Sequence, residues 1–519
     1  KVPEILSTEL MQGLNLLPRE IAIKQVHYPK EEELIKRSIY RLKFEELFFL
    51  QLELLLRKQI ALKKNKGFIF KEVGGMFLDF YENHLPFTLT NAQKRVVKEI
   101  RTDCKNGFHM NRLVQGDVGS GKTMVALLTM LIAVGNGYQT ALMAPTEILA
   151  QQHFDSLKEL LKDLPINIQK LSGSSKIAVR RKIHSELESG ELQILVGTHA
   201  LIEDKVIFKN LGLVVIDEQH RFGVAQRAKL WKKNTQPPHV LVMTATPIPR
   251  TLAMTVYGDL DISLIDELPP GRKAITTEHR FEKDRSVLFG FMRREIAKGR
   301  QIYIVYPLIA ESETLDYNNL QAGFEAISRS FPLPDYQVSI VHGQMKADVK
   351  QFEMQRFVDG QTHIMVATTV IEVGVNVPNA SVMIIESAER FGLSQLHQLR
   401  GRVGRGAEKS YCILMTGDKL SRESKRRLQT MVRTQDGFEI AEVDLELRGP
   451  GDLMGTQQSG DLNLKIADLA TDGKLVALAR EKARSLLEND PELKLPEHQH
   501  IRHQILFMLR DKPNWSKIS

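Results

Sequence analysis

From Glu31 to about Asn65 leucines recur at helical spacing among many charges, at Leu34, Leu42, Leu47, Leu50 and Leu54. That pattern predicts a long helix with one apolar face. Before it, Pro3, Pro18 and Pro29 separate short apolar clusters, as in a linker. Beyond Pro86 the pattern changes. Short apolar runs at 112–115, 139–144, 193–197, 213–217 and 239–243 alternate with helical segments. Such alternation predicts a parallel sheet covered by helices on both faces. Leu268-Pro269-Pro270-Gly271-Arg272 is punctuated heavily enough for an interdomain linker. A second alternation follows, with strands expected at 301–307, 338–342, 363–367, 382–386 and 410–415. From about Leu420 the chain is charged and helical, interrupted by Leu447-Arg448-Gly449-Pro450-Gly451. The expected order is a linker with a long helix (1–65), a first α/β lobe (66–270), a second (271–419) and a helical tail (420–519).

Composition narrows the class without deciding function. Hydrophobic residues make up 42% and charged residues 26% of 519, as in soluble globular proteins. Lysine plus arginine outnumber aspartate plus glutamate, 71 to 63, and the resulting +8 suits a polyanionic partner. Cys104 and Cys412 lie far apart, with neither zinc nor disulfide spacing, which fits a reducing compartment. The longest apolar stretch, Met124 to Val134, is too short to span a bilayer, and no signal peptide opens the chain. The chain enters mid-pattern at Lys1 and is expected to be part of a longer protein.

The strongest local signal is Gly116-Asp117-Val118-Gly119-Ser120-Gly121-Lys122-Thr123, a full G-x-x-x-x-G-K-[ST] phosphate loop. Leu113 and Val114 lead in as a strand, and Met124 to Val134 lead out as a helix. The glycines let backbone N–H groups curl round a phosphate at a helix N-terminus that already favours an anion. Lys122 would reach the β- and γ-phosphates, and the Thr123 hydroxyl would coordinate Mg²⁺. About a hundred residues on, Leu213-Val214-Val215-Ile216 ends in Asp217-Glu218. Asp217 would hold Mg²⁺ through its water shell and Glu218 would polarise the attacking water. Two acids ending a strand often merely cap a helix; behind a complete phosphate loop the catalytic reading gains. ATP and Mg²⁺ are thus the expected cofactors.

These elements alone leave kinases, transporters and clamp loaders open. Asp217-Glu218-Gln219-His220, Arg221-Phe222-Gly223-Val224 and Thr244-Ala245-Thr246-Pro247 resemble the helicase superfamily 2 set. Val366 to Val375, which includes Thr368 and Gly374, resembles its fifth motif. Gln398-Leu399-Arg400-Gly401-Arg402-Val403-Gly404-Arg405 resembles its sixth, Q-x-x-G-R-x-G-R. Arg402 and Arg405 would bring a rigid, permanent charge to the γ-phosphate from the opposite lobe, with Arg405 as the finger. Upstream, Leu85-Pro86-Phe87 and Thr90-Asn91-Ala92-Gln93 resemble the adenine-reading Q motif. Gln93 would pair with the adenine edge and Phe87 would stack on the ring. Pro145 and Thr146, Gly173, and Thr198 with His199 follow strands and resemble motifs that grip a DNA backbone. Each is weak alone, because Ser, Thr and Gly are ordinary turn residues. His199, His220 and His342 have no zinc spacing.

From about Pro18 onward the chain resembles the RecG family of branched-DNA helicases. The resemblance rests on Asp217 to Val224, on Thr246-Pro247-Ile248-Pro249-Arg250-Thr251-Leu252, and on Tyr306-Pro307-Leu308-Ile309. The tail adds Leu447 to Asp452 and Gly455-Thr456-Gln457-Gln458-Ser459-Gly460. It implies two RecA-like lobes and fork reversal or Holliday-junction processing on duplex and branched DNA. It also implies bacterial cytoplasm close to the nucleoid, a monomer, and single-strand DNA-binding protein as a partner at forks. In the tail, Arg427, Arg448 and Gln458 match the family's translocation hairpin and loop. The family's N-terminal wedge, an OB-fold, is not visible, and Asn376 stands where aspartate is common. The related transcription-repair coupling factor usually carries D-E-E-Q-R-F-G, so Gln219-His220 favours RecG. A non-catalytic DNA scaffold is disfavoured because Lys122, Asp217, Glu218 and Arg405 are all present.

Overall fold

In a computed structural model the structure describes residues 2–64, 66–173, 175–218, 233–234, 236–256, 260–269, 273–307, 313–368, 377–404, 406, 409–449 and 464–510. The chain divides into two compact units: Gly67–Pro247 with Ser263–Asp444, and Lys1–Lys66 with Ile248–Ile262 and Leu445–Ser519.

The first of these holds both α/β lobes, each built from buried strands. Seven strands form the first lobe: β1 (Asn111–Gly116), β2 (Gln139–Met143), β3 (Ile168–Leu171), β4 (Ile194–Gly197), β5 (Leu211–Asp217), β6 (His239–Thr244) and β7 (Asp261–Ile265). Their order is β3-β4-β2-β5-β6-β1-β7, and from β3 to β1 every pair is parallel. The central strands are buried along almost their whole length, which is why the sequence shows them as continuous apolar runs. The Lys122–Gly135 helix is apolar on all sides and lies in the core with Phe70, Val96, Leu142 and Leu213.

The second lobe has six strands: β8 (Ile275–Phe281), β9 (Gln301–Tyr306), β10 (Val338–Val341), β11 (Ile364–Thr368), β12 (Ala380–Ile385) and β13 (Ser410–Thr416). Their order is β10-β11-β9-β12-β13-β8, parallel throughout. This is the expected architecture of two tandem parallel-sheet lobes.

Three strands were not expected from the sequence: β3, β7 and β8. All three lie at sheet edges, where only one neighbour covers them. Half-exposed strands such as Ile275-Thr276-Thr277-Glu278-His279-Arg280-Phe281 carry polar residues and give no apolar run.

In the other unit, the Glu32–Lys64 helix packs Phe44, Leu47, Phe48 and Leu52 against Val476, Ala479 and Ala483 of the Gly473–Asn489 helix. The N-terminal and C-terminal segments, expected as separate stretches, thus share one core. Arg41 is fully buried there, 2.6 Å from Glu4 and 2.7 Å from Glu45. Its charge is neutralised on both sides, as burial demands.

Candidate ATP and nucleic-acid site

Every expected motif that the structure describes in the first sheet follows the carboxyl end of a strand, where open parallel sheets bind ligands. Their distribution is ordered. Pro145 and Thr146 follow β2, Gly173 follows β3, and Thr198 with His199 follows β4, so the DNA-type motifs occupy one half of the sheet. The phosphate loop after β1 and the acids ending β5 occupy the other half. The border between the halves is the β2–β5 pair.

Glycine shapes the phosphate loop at two positions. Gly121 has φ +84°, and a Cβ there would meet the Gln93 Nε2 at 2.2 Å. At Gly116 a Cβ would meet the Ser120 Oγ at 2.5 Å. The buried Lys122 Nζ donates to the Gly116 carbonyl at 2.6 Å and the Asp117 carbonyl at 2.9 Å, so it is folded over the loop it serves. Thr123 is half-buried at the helix start. The Ser120 Oγ is buried with no hydrogen-bond partner among the described residues, and Gly119 lies exposed beside it. A cradle with an unused buried hydroxyl and a helix N-terminus fits a phosphate.

Gln93, expected at the adenine edge, also holds the phosphate loop. It is fully buried, accepts from the Thr90 N–H at 2.9 Å and donates to the Ser120 carbonyl at 2.8 Å. The first bond belongs to a capping box at the start of the Asn91–Lys105 helix; the second clamps the phosphate loop. Its amide oxygen and nitrogen thus each hold a protein partner. Phe87 remains 37% exposed.

Asp217 and Glu218 sit half-buried at the end of β5. Burial works against the charged Asp217, but the hydrogen bond and charge of His153 and the Lys122 ammonium outweigh it, holding its carboxyl below the ordinary aspartate range. The His153 Nε2 lies 2.8 Å from the Asp217 Oδ2. Glu218 goes the other way: burial and the Asp217 charge push its carboxyl up, against the pull of Lys122 and Arg402. Two adjacent acids pushed apart in this way are suited to different roles. Glu218 also has φ +54°, a strained conformation for a residue with a side chain. It is held by its own N–H to the Met243 carbonyl at 3.0 Å and by the Ala245 N–H donating to its Oε1 at 3.3 Å. The Thr244-Ala245-Thr246 turn is thereby tied to the acid.

The second lobe reaches this site. The Gln398 Nε2 donates to the Thr246 Oγ1 at 2.5 Å, and Arg402, 9% exposed, is close enough to Glu218 to act on its titration. Arg405 and Gly374 lie outside the described residues. Asp117, expected among the nucleotide ligands, turns its carboxylate away from the loop. His397 binds one oxygen, and the Gly437 N–H donates to the other at 3.2 Å. Burial opposes its charge, but these two partners and Lys122 hold its carboxyl below the ordinary range.

The DNA-type residues are present but not equivalent. Thr146 caps the Glu147–Leu160 helix, accepting from the Leu149 N–H at 3.3 Å. Pro145 is half-buried, while Gly173 and His199 are exposed. Thr198 and Thr368 are buried, each hydroxyl lacking a partner among the described residues. In the tail, Arg427 of the Arg422–Arg433 helix donates to the Phe391 carbonyl at 2.7 Å and the Glu389 carbonyl at 3.1 Å. Its fork therefore anchors the helix to the second lobe. Arg448 is exposed at the end of the Gly437–Arg448 helix, and Gln458 lies outside the described residues. Sequence reasoning missed His153, His397, Arg400 and Gly437; only the fold brings these partners within reach.

Family models place this geometry among known proteins. The DEAD/DEAH box helicase model matches residues 90–255 and the helicase conserved C-terminal domain matches 285–407. Residues 434–519 match the C-terminal part of domain 3 of ATP-dependent DNA helicase RecG. The ATP-dependent DNA helicase RecG of Bacillus subtilis is 46% identical over 505 residues, covering 97% of this chain and 74% of that protein. This chain belongs to the RecG family. The Synechocystis protein of the same name is 50% identical over 493 residues, 95% of this chain and 59% of its own length. Our RecG-family chain thus spans about six-tenths of the curated relatives it matches first. A solved structure of RecG bound to a three-way DNA junction shares 41% identity and a TM-score of 0.71, over 92% of this chain and 62% of that one. Among the described residues no helix is long and apolar enough to cross a membrane.

Proposed function

We propose that this chain is an ATP-hydrolysing motor that moves on duplex DNA and acts on branched DNA; its relatives are named ATP-dependent DNA helicases, and one RecG structure is bound to a three-way DNA junction. One observation carries the reading: Lys122, Asp217 and Glu218 of the first lobe meet Arg402 of the second around one phosphate-shaped loop. A site assembled from two lobes links hydrolysis to their relative movement.

The residues present fit Mg²⁺. Thr123 and Asp217 would hold it, and no cluster of three metal-binding side chains exists among the described residues. Magnesium in nucleotide sites takes one or two carboxylates plus substrate phosphates, so a larger cage is not needed. When bound, the ion neutralises charge developing on the phosphates. Lys122 holds the β- and γ-phosphates, Glu218 orients and polarises the attacking water, and Arg402 with Arg405 stabilises charge from the second lobe. Phe87 stacks on adenine, and Gln93, which also shapes the loop, pairs with the adenine edge.

The DNA backbone is held by Pro145, Thr146, Gly173, Thr198, His199 and Thr368, whose buried, unused hydroxyls at 198 and 368 support the reading. Arg448 and Gln458 act in translocation, from a hairpin that Arg427 anchors. We place the protein in bacterial cytoplasm near the nucleoid, as a monomer meeting single-strand DNA-binding protein at forks. The chemistry is tested by measuring ATP hydrolysis for Lys122→Ala and Glu218→Gln. Both are expected to lose turnover, with nucleotide binding kept in Glu218→Gln. Near-normal turnover in Glu218→Gln would remove its role.

A further inference from the structure

The Asp117 carboxylate sits in the phosphate loop, and both of its oxygens are held by residues from outside the loop. One oxygen meets the His397 Nε2, on the helix that opens the sixth motif. The other accepts from the N–H of Gly437, the first residue of the second tail helix. The packing leaves no slack: a Cβ on Gly437 would lie 2.3 Å from the Asp117 Oδ1, 2.5 Å from the Pro247 Cγ and 2.7 Å from the His397 Nε2. Gly437 is therefore wedged among the phosphate loop, the Thr-Ala-Thr turn and the sixth-motif helix.

The chain of contacts continues into the hairpin. The His397 Nδ1 pairs with the Arg400 Nη2 at 2.9 Å. Arg400 is buried, and its Nη1 donates to the Met431 and Thr434 carbonyls at 2.8 and 2.9 Å. These carbonyls end the first tail helix, Arg422–Arg433. The turn joining the two tail helices is thus gripped from both sides, by Arg400 and by Asp117. Beside this grip lies a cavity of about 190 Å³ lined by Asp117, Val118, His397, Arg400, Gly401 and Gln435.

A carboxylate inside a phosphate loop repels the ligand the loop is built for, so its presence calls for a second role. We propose that Asp117 is a coupling residue, tying the phosphate loop through His397 and Gly437 to the turn of the tail hairpin so that nucleotide binding shifts that turn. The inference rests on the reading of the chain as an ATP-driven motor and names the contact that carries the signal. Bistable packed contacts of this kind transmit small loop shifts as discrete changes.

Amide hydrogen exchange across 431–437, with and without a non-hydrolysable ATP analogue, tests the coupling separately from the motor. In the wild-type chain the Gly437 N–H should be protected, and the analogue should change its exchange by about tenfold, within the range of ordinary coupling energies. In His397→Ala, and in the milder His397→Gln, that response should shrink while DNA-free ATP hydrolysis stays within about twofold of wild type. Asp117→Ala and the double variant with His397→Ala should lose no more than the larger single loss, because both act through one contact. Exchange at 431–437 that ignores the analogue in a chain that hydrolyses ATP overturns the coupling and leaves the motor reading standing. Additive losses in the double variant overturn it too.

Discussion

His153 shows how one side chain joins the two halves of the first lobe. It lies on the helix that Thr146 caps, behind a DNA-type motif, yet its ring meets Asp217 at 2.8 Å across the β2–β5 border. We expect His153→Ala to lower DNA-stimulated turnover more than DNA-free turnover, measured as the ratio of the two rates; an unchanged ratio would make the contact merely structural. Arg402 and Arg405 are separated by the same logic. Loss of the true finger should cut turnover by about 10³–10⁵ with ATP affinity nearly intact, and the nearness of Arg402 to Glu218 makes Arg402→Ala the variant to compare with Arg405→Ala. His239 is a structural residue with a pH signature. Fully buried, it accepts from the Met110 N–H at 3.0 Å and pairs with the Phe68 carbonyl at 2.8 Å, and burial pushes its pKa from 6.5 down to about 4. The unfolded chain takes up a proton below its ordinary value and the folded chain does not, so stability falls as pH drops from 6.5 toward 4. The ceiling is about 3 kcal/mol. Denaturation midpoints across that window should fall less in His239→Gln; an equal fall would assign the acid sensitivity elsewhere. That Lys122, Asp217 and Glu218 would share one site was legible because each stands in a short ordered motif. His153 was not, because its partner is distant in sequence.

At the scale of elements, legibility followed burial. Central strands such as β5 and β6 announce themselves as unbroken apolar runs, whereas the edge strands β3, β7 and β8 carry polar residues and pass for loops. The long helix was readable as a helix, but of its leucine stripe only Leu47 lies in the core row. Leu42, Leu50 and Leu54 are half-buried, and Phe44, Leu47, Phe48 and Leu52 form the buried row. The tail reads as charged and helical, with Arg427 matched to the translocation hairpin by family resemblance. Only the structure shows that Arg427 spends its charge on the Glu389 and Phe391 carbonyls. Arg427→Ala should therefore loosen the hairpin, removing displacement of a triplex-forming strand while DNA-stimulated ATP hydrolysis survives. Loss of both together would make Arg427 part of the hydrolytic machinery.

For the whole molecule, the two-lobe architecture was readable from strand alternation, while the joining of the N-terminal and C-terminal segments in one core was not, since nothing local records a contact between 2–64 and 464–510. A motor that grips phosphates should bind duplex with little sequence preference. Log affinity should fall linearly with log salt, by about 0.9 per phosphate neutralised, in an anisotropy titration. A flat salt dependence would point to base readout. If DNA drives hydrolysis in the two-lobe site, the ATP hydrolysis rate must differ between no DNA, linear duplex and a three-way junction. Low turnover without DNA and strong stimulation by both DNAs are expected, the stimulation abolished by Lys122→Ala. Turnover indifferent to either DNA would contradict DNA-driven hydrolysis.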